Sequence, residues 1–172
     1  INSIREIITL PVTGFTNATQ PVISYNYGAR AYDRVRTSIK FMSVVCVLYT
    51  FIAWLILNIF PEFFIKIFNR NPELIKNALS SLRIYFLGFF MMPLQFAGQS
   101  TFVALGKSKQ AIFFSLLRKV IIVIPLTILL PKMFGLGING VFLAEPISNI
   151  IGGIACYATM IATVRPELKN QI

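Results

Sequence analysis

Residues 39–60 read IKFMSVVCVLYTFIAWLILNIF, and Lys40 is the one charged side chain among them. A helix needs about 20 mostly apolar residues to cross the ~30 Å hydrocarbon core of a bilayer. This stretch meets that requirement, and other stretches of similar length and apolar character recur along the chain. We therefore predict an all-α protein, a polytopic membrane helix bundle. Its spans are expected at about residues 7–27, 39–60, 84–105, 113–134 and 138–161.

The overall composition agrees with a membrane environment. Of the 172 residues, 56% are hydrophobic and 13% are charged, and the mean hydropathy is +0.73. Soluble domains carry about a quarter charged residues, and a domain of this size has too much surface to stay soluble with so few. Membrane lipid is therefore the expected partner. Because the chain begins with Ile1 rather than Met, we expect it to be part of a longer protein.

The positive charge predicts an orientation. Lys and Arg outnumber Asp and Glu by 16 to 6, and the cytoplasmic loops of membrane proteins carry the excess of Lys and Arg. Alternate connections share one side, which here holds Arg30, Arg34, Arg36, Lys40, Lys107, Lys109, Arg118, Lys119, Arg165 and Lys169. We therefore expect a cytoplasmic C-terminus, with Arg118 and Lys119 snorkelling from the fourth span to that surface. The charge is thus a topology signal, and we expect no nucleic-acid partner.

Polar residues recur every three or four positions along the first span, which places them on one face of a helix. They are Thr9, Thr13, Thr16, Asn17, Gln20 and Ser24. Because polar groups are costly in lipid, this stripe predicts either a hydrated substrate cavity or hydrogen bonds between helices. We assign Thr13, Asn17, Gln20 and Ser24 to the cavity. Pro11 and Pro21 each remove a helical hydrogen bond, and we expect them to bend the span.

The third span repeats this pattern more weakly. Gln95 and Gln99 lie one turn apart on one face, with Met92 above them. A methionine side chain is flexible and polarizable, which suits a surface that binds varied apolar ligands, although it fills gaps in packed cores equally well. We assign Met92, Gln95 and Gln99 to the cavity. The helical pattern from Pro72 to Leu105 is longer than one span, so we expect the helix either to project outward by several turns or to break near Gly88 or Pro93.

The fifth span contains Glu145, followed on the same face by Asn149. An acid inside a span indicates either a proton or cation site or a hydrogen-bonded structural group, and we leave both interpretations open for this pair.

Catalytic signatures are missing from the sequence. The chain has no histidine and shows neither a nucleophile–base pair nor a phosphate-binding glycine loop. Cys46 and Cys156 both fall inside predicted spans, which argues against a disulfide framework. We therefore expect no enzyme activity, no metal site and no cofactor.

Three stretches carry a resemblance to a known family. They are QPVISYNYGA at 20–29 followed by Arg34-Val35, QSTFVALGKSK at 99–109, and GVFLAEPISN at 140–149, with SLLR at 115–118 between the last two. In this order they resemble the eighth and the tenth to twelfth helices of multidrug and toxic-compound extrusion (MATE) transporters, particularly bacterial members.

The resemblance implies that residues 1–172 are part of a six-helix C-terminal lobe in a bacterial inner membrane. Its partner would be the missing N-terminal lobe. It implies a Na⁺- or H⁺-coupled antiporter that exports amphipathic drugs by alternating access. The stretch matching the tenth helix has Gln95 and Gln99 where an acid would be expected, and Asn149 stands where many relatives have aspartate. The coupling site is therefore expected outside this chain.

Two other functions fit the same pattern of spans. A lipid-linked oligosaccharide flippase of the same superfold would need basic residues along its cavity to bind a pyrophosphate. The neutral stripe of the first span favours the exporter instead. A non-transporting scaffold subunit is the other alternative. If the exporter interpretation holds, bulky apolar residues at Gln20 or Ser24 are expected to reduce export.

Overall fold

The computed structural model describes residues 1–68, 72–133 and 137–170, and within these ranges the chain is helical with no strand. The all-α prediction is therefore confirmed. The helices are α1 (Asn2–Gly28), α2 (Tyr32–Ile59), α3 (Pro61–Phe68), α4 (Pro72–Phe86), α5 (Met92–Ala104), α6 (Ser108–Leu116), α7 (Ile124–Met133) and α8 (Ile138–Asn170). A 3₁₀ turn at Phe89–Met91 precedes α5, and a π-helical segment at Leu117–Val123 joins α6 to α7.

Among the described residues, four helical stretches are long and apolar enough to cross a bilayer. They are Tyr32–Ile59, Ala78–Ala104, Ser108–Lys132 and Ile138–Leu168. They correspond to the last four predicted spans, although the predicted end of the fourth span at Phe134 lies outside the described residues. The first predicted span corresponds to α1, which has 27 residues and is long enough to cross. It is not among the four apolar stretches, and it is the helix that carries the polar stripe.

The helical pattern that begins at Pro72 breaks close to Gly88, which is one of the two predicted positions. α4 ends at Phe86, Leu87 and Gly88 form a turn, and the 3₁₀ segment leads into α5. Pro93 lies in the first turn of α5, where its missing N–H removes no helical bond. Pro93 therefore begins a helix rather than bending one. Pro11 and Pro21 lie inside α1, which continues through both, and a bend at these positions stays a prediction.

α5 lies at the centre of the bundle, in contact with α1, α2, α6 and α8. Its side chains are buried around most of its circumference, including Gln95, Ala97 and Phe102. α8 packs closely on it through glycines: a Cβ at Gly98 would lie 2.8 Å from Cys156 Sγ. Cys46 and Cys156 are both free and buried.

A polar contact joins the three chain segments assigned to the cytoplasmic side. The Glu167 carboxylate near the end of α8 accepts a hydrogen bond from Tyr27 Oη at 2.9 Å and another from Lys107 Nζ. Tyr27 lies at the end of α1, and Lys107 lies between α5 and α6. These segments therefore meet at one end of the bundle, as expected for alternate connections of membrane-spanning helices.

Candidate functional site

A groove between α1, α5 and the α6–π segment contains two adjoining cavities. The cavity that we call the neutral cavity has a volume of about 310 Å³, and the one that we call the basic cavity has about 270 Å³. They share Phe96, Gln99 and Ser115. The two cavities therefore form one continuous groove, with an aromatic ring and two hydrogen-bonding side chains where they meet.

The structure places six of the seven predicted cavity residues along this groove. Thr13, Asn17 and Gln20 line the neutral cavity, Met92 and Gln95 line the basic cavity, and Gln99 lines both. Ser24 is exposed and lines neither of the two cavities. Two residues that the cavity assignment left out, Thr16 and Ser100, also line the neutral cavity. Whether these side chains bind a substrate stays a prediction.

Several hydroxyl groups of the α1 stripe form hydrogen bonds within their own helix. Thr9 Oγ1 donates to the Arg5 carbonyl at 2.6 Å, and Thr16 Oγ1 donates to the Thr13 carbonyl at 3.1 Å. Between helices, Ser100 Oγ donates to the Thr16 carbonyl at 3.0 Å. A threonine that bonds to its own backbone needs no neighbouring helix to satisfy it. This local bonding weakens the alternative that the stripe serves mainly to join helices.

The basic cavity borders an ion cluster inside the bundle, which we call the Arg118 cluster: Arg5, Arg118, Glu145 and Asn149. Arg118 Nη1 donates to Glu145 Oε1 at 3.4 Å and also to Asn149 Oδ1. Arg5 Nη1 donates to the same Glu145 oxygen at 3.3 Å. The side chains of Arg118, Glu145 and Arg5 are 9%, 14% and 31% exposed. Two guanidinium groups therefore share one carboxylate in a poorly hydrated place.

The prediction that Arg118 snorkels to the cytoplasmic surface was wrong, whereas Lys119 is exposed. Arg118 instead faces α8, because Gly152 leaves room for its side chain. A Cβ at Gly152 would lie 3.1 Å from both Cγ and Cδ of Arg118. Arg118 belongs to the π-helical segment, and such segments occur often at functional sites. Its burial is tolerated because Glu145 and Asn149 accept hydrogen bonds from it.

Three buried polar atoms in and beside the Arg118 cluster have no protein partner. They are Gln95 Oε1, Arg118 Nε and Asn149 Nδ2. Buried polar atoms are usually hydrogen-bonded, so unpaired ones in one place mark a site of interest. For Glu145, pairing with two arginines favours the structural interpretation over a bare cation site. Within the described ranges, no three Cys, Asp or Glu side chains lie together as a metal site would require.

Sequence reasoning missed Arg5 and Arg118 as partners of Glu145. A signal for them existed, because an acid inside a span needs a compensating charge. Arg118 and Lys119 were the basic residues nearest the middle of a predicted span. Arg5 lies far from Glu145 along the chain, and helical periodicity carries no information on that pairing.

The MatE family model matches residues 1–129 of this chain. A structure described as the MATE multidrug transporter DinF-BH in complex with rhodamine 6G is 31% identical to the chain, with a TM-score of 0.85. The alignment covers 93% of this chain and 35% of that one.

Two further relatives are more distant in sequence. The FAD transporter of Shewanella oneidensis is 22% identical over 158 residues, which is 90% of this chain and 34% of that protein. A crystal structure of MATE in the bent conformation has a TM-score of 0.91 at 16% identity, covering 98% of this chain and 37% of that one, and shows the fold alone. The chain thus spans about a third of the length of these relatives.

Proposed function

This chain belongs to the MatE family of MATE transporters, and we propose that it forms part of the C-terminal lobe of a cation-coupled antiporter. The antiporter exports amphipathic compounds by alternating access, in a bacterial inner membrane. The observation that carries this proposal is the groove between α1, α5 and α6. There, polar side chains line open cavities along one face of the bundle, while much of the remaining outer surface is apolar. Such an arrangement is suited to binding an amphipathic molecule within the membrane.

The substrate class rests on the chemistry of the groove. Phe96 offers an aromatic face where the two cavities meet, and Gln20 and Gln99 offer donors and acceptors. Two relatives support an organic substrate, because one is named an FAD transporter and another was solved with rhodamine 6G. Both names describe amphipathic aromatic compounds.

The coupling ion is proposed to be Na⁺ or H⁺, bound outside this chain. The α5 face toward the groove holds Gln95 and Gln99 rather than an acid, and Glu145 is engaged by two arginines. A carboxylate that already neutralises two guanidinium groups is a poor ligand for another cation. The coupling site is therefore assigned to the rest of the protein, which we propose includes an N-terminal lobe.

The alternatives make different demands on the groove. The neutral cavity is lined by uncharged side chains, which disfavours the pyrophosphate of a lipid-linked oligosaccharide at that end. A scaffold subunit needs no polar groove inside its bundle. The relatives described above are named as transporters and not as enzymes. We propose that this chain likewise takes part in transport.

Substitution of Gln20 tests the groove directly. Gln20→Leu in the complete transporter is expected to reduce rhodamine 6G uptake by inside-out vesicles about tenfold, because it removes a hydrogen-bonding group from the neutral cavity. Ser24→Leu is the matched control: the stripe alone predicts a loss there too, but Ser24 lies outside both cavities. Equal uptake by the two variants at equal expression would refute the assignment of the groove. No uptake by the parent protein would favour the scaffold.

The orientation is tested by cysteine labelling. In a variant of the complete protein without other cysteines, a cysteine replacing the exposed Lys109 is expected to react with an impermeant maleimide only in inside-out vesicles. One replacing the exposed Lys132 is expected to react only in right-side-out vesicles. These residues lie at opposite ends of the Ser108–Lys132 helix. The reverse pattern would contradict a cytoplasmic C-terminus.

A further inference from the structure

We propose that the basic cavity binds the negatively charged group, a phosphate or a carboxylate, of an amphipathic substrate whose uncharged part lies in the neutral cavity. This inference rests on the proposed transport function and names the substrate class more closely. The neutral stripe by itself suggests an uncharged or cationic substrate. The Arg118 cluster reverses that expectation at one end of the groove.

The first argument is the balance of charge around the basic cavity. Its lining includes the three cations Arg5, Arg118 and Lys119 and the single anion Glu6. Glu145 adds a second carboxylate behind the wall, where it contacts both arginines. Three positive charges therefore face two negative ones. Arg118 and Glu145 are poorly hydrated, so their charges are weakly screened, whereas Lys119 and Glu6 are exposed. An anion entering the cavity would remove this excess, whereas an organic cation would add to it.

The second argument is the supply of hydrogen-bond donors. Arg118 Nε is buried with no partner, and its Nη1 group already serves both Glu145 and Asn149. Around the cavity, Gln99 and Ser115 provide neutral polar groups, whereas the Thr9 hydroxyl already donates to the Arg5 carbonyl. Oxyanions are bound in proteins by guanidinium groups supplemented by hydroxyl and amide donors. The cavity of about 270 Å³ accommodates one such group with water but not a whole amphipathic molecule.

The third argument is continuity. The basic cavity shares Phe96, Gln99 and Ser115 with the neutral cavity, which has no charged residue in its lining. One end of the groove is therefore suited to an uncharged, partly aromatic body and the other end to an anionic head. This polarity matches a molecule that carries its negative charge at one end.

The test compares two ligands that differ only by a terminal phosphate group. Riboflavin and riboflavin 5′-phosphate have the same ring and chain, and the second carries a terminal phosphate. Binding of each to the complete transporter in phosphatidylcholine nanodiscs is measured by quenching of flavin fluorescence. The phosphate is expected to bind at least about tenfold more tightly. Equal affinities would overturn the proposal. They would do so even if the cause were an acid elsewhere in the protein that already neutralises the positive charge of the basic cavity.

Three variants locate the effect. Arg5→Gln leaves the Arg118–Glu145 pair intact but removes the excess charge, so the preference for the phosphate is expected to fall to about twofold or less. Glu6→Gln is expected to increase that preference by removing the anion from the lining. Arg34→Gln alters an exposed arginine at the start of α2, outside the cavity lining, and is expected to change nothing. Riboflavin affinity reports folding in each variant, and a loss in Arg34→Gln as large as in Arg5→Gln would overturn the proposal.

Two further measurements are needed. The first distinguishes binding of a substrate phosphate from binding of a lipid head group, and the second separates the preference for a charged ligand from transport activity. Adding phosphatidylglycerol to the nanodiscs is expected to leave the preference for the phosphate intact. If that lipid abolishes the preference, a lipid head group occupies the cavity and the proposal fails. Uptake of rhodamine 6G and of riboflavin 5′-phosphate by vesicles is measured separately. Uptake of rhodamine 6G together with equal flavin affinities would reject this inference alone, whereas absence of uptake of both rhodamine 6G and riboflavin 5′-phosphate would reject the transport function.

Discussion

Replacing Glu145 by leucine is expected to lower the free energy of unfolding by about 3 to 5 kcal/mol. The substitution removes the one carboxylate shared by Arg118 and Arg5, whose side chains are 9% and 31% exposed. Within the cluster, Arg118 would then keep only the Asn149 amide oxygen as an acceptor. A buried guanidinium without a counter-charge must either stay uncompensated in a medium of low dielectric constant or pull its helix toward water. Either outcome lowers stability.

Thermal unfolding of the complete protein in detergent measures this effect, and a second substitution tests its cause. Arg118→Met combined with Glu145→Leu removes both charges from the buried pair, and Arg5 is exposed enough to turn toward solvent. The double variant is therefore expected to recover much of the lost stability. Glu62→Leu is the surface control, because Glu62 pairs with Lys66 while both side chains are more than half exposed. A double variant no more stable than Glu145→Leu would contradict the assigned pairing.

Substituting Gly153 by alanine is expected to be the other large effect, with a loss of about 1 to 3 kcal/mol. A Cβ at this position would lie 2.7 Å from the carbonyl oxygen of Met91. That oxygen belongs to the backbone of the 3₁₀ turn before α5, so it has no side-chain freedom with which to move aside. α8 would have to shift away from α5. The same shift would disturb Met92 and Gln95, which line the basic cavity directly after this turn.

Gly14→Ala is the matched control for that substitution. Gly14 lies inside α1, and beyond the backbone of its own helix and its chain neighbours no heavy atom lies within 4 Å of an added Cβ. Alanine is a better helix former than glycine, so this variant is expected to gain about 0.5 to 1 kcal/mol. Melting temperatures of the two variants in the same detergent should therefore move in opposite directions. A drop of similar size in both would show that the close approach of α8 to α5 is unimportant for stability.

Much of the fold could be predicted from the sequence, because the thickness of the bilayer sets the length of an apolar helix. Residues 39–60 and α2 illustrate this relation, since the predicted span lies almost wholly within Tyr32–Ile59. The break between α4 and α5 was also predictable, because the helical pattern was longer than a membrane crossing and contained Gly88 and Pro93. These features depend on the length and hydropathy of single helices, and a sequence pattern describes both directly.

The candidate site could be predicted only in part. Spacings of three and four residues placed Thr13, Asn17 and Gln20 on one face of α1, and they line one cavity. The same periodicity included Ser24, which is exposed. A helical pattern defines a face along its whole length, but the neighbouring helices decide which part of that face is enclosed. The π-helical segment around Arg118 could not be predicted either, because its residues are as compatible with an ordinary α-helix as those of its flanks.

Sequence alone was enough to establish a bundle of membrane-spanning helices with a polar stripe on α1 and an acid inside its last span. These are properties of single helices, set by hydropathy and by the 3.6-residue period. The packing of the helices added that Glu145 meets Arg5 and Arg118, and that one end of the groove is therefore basic. The partner of a buried charge depends on how helices that are distant in sequence pack together. The order of residues along one helix does not specify which helices become its neighbours.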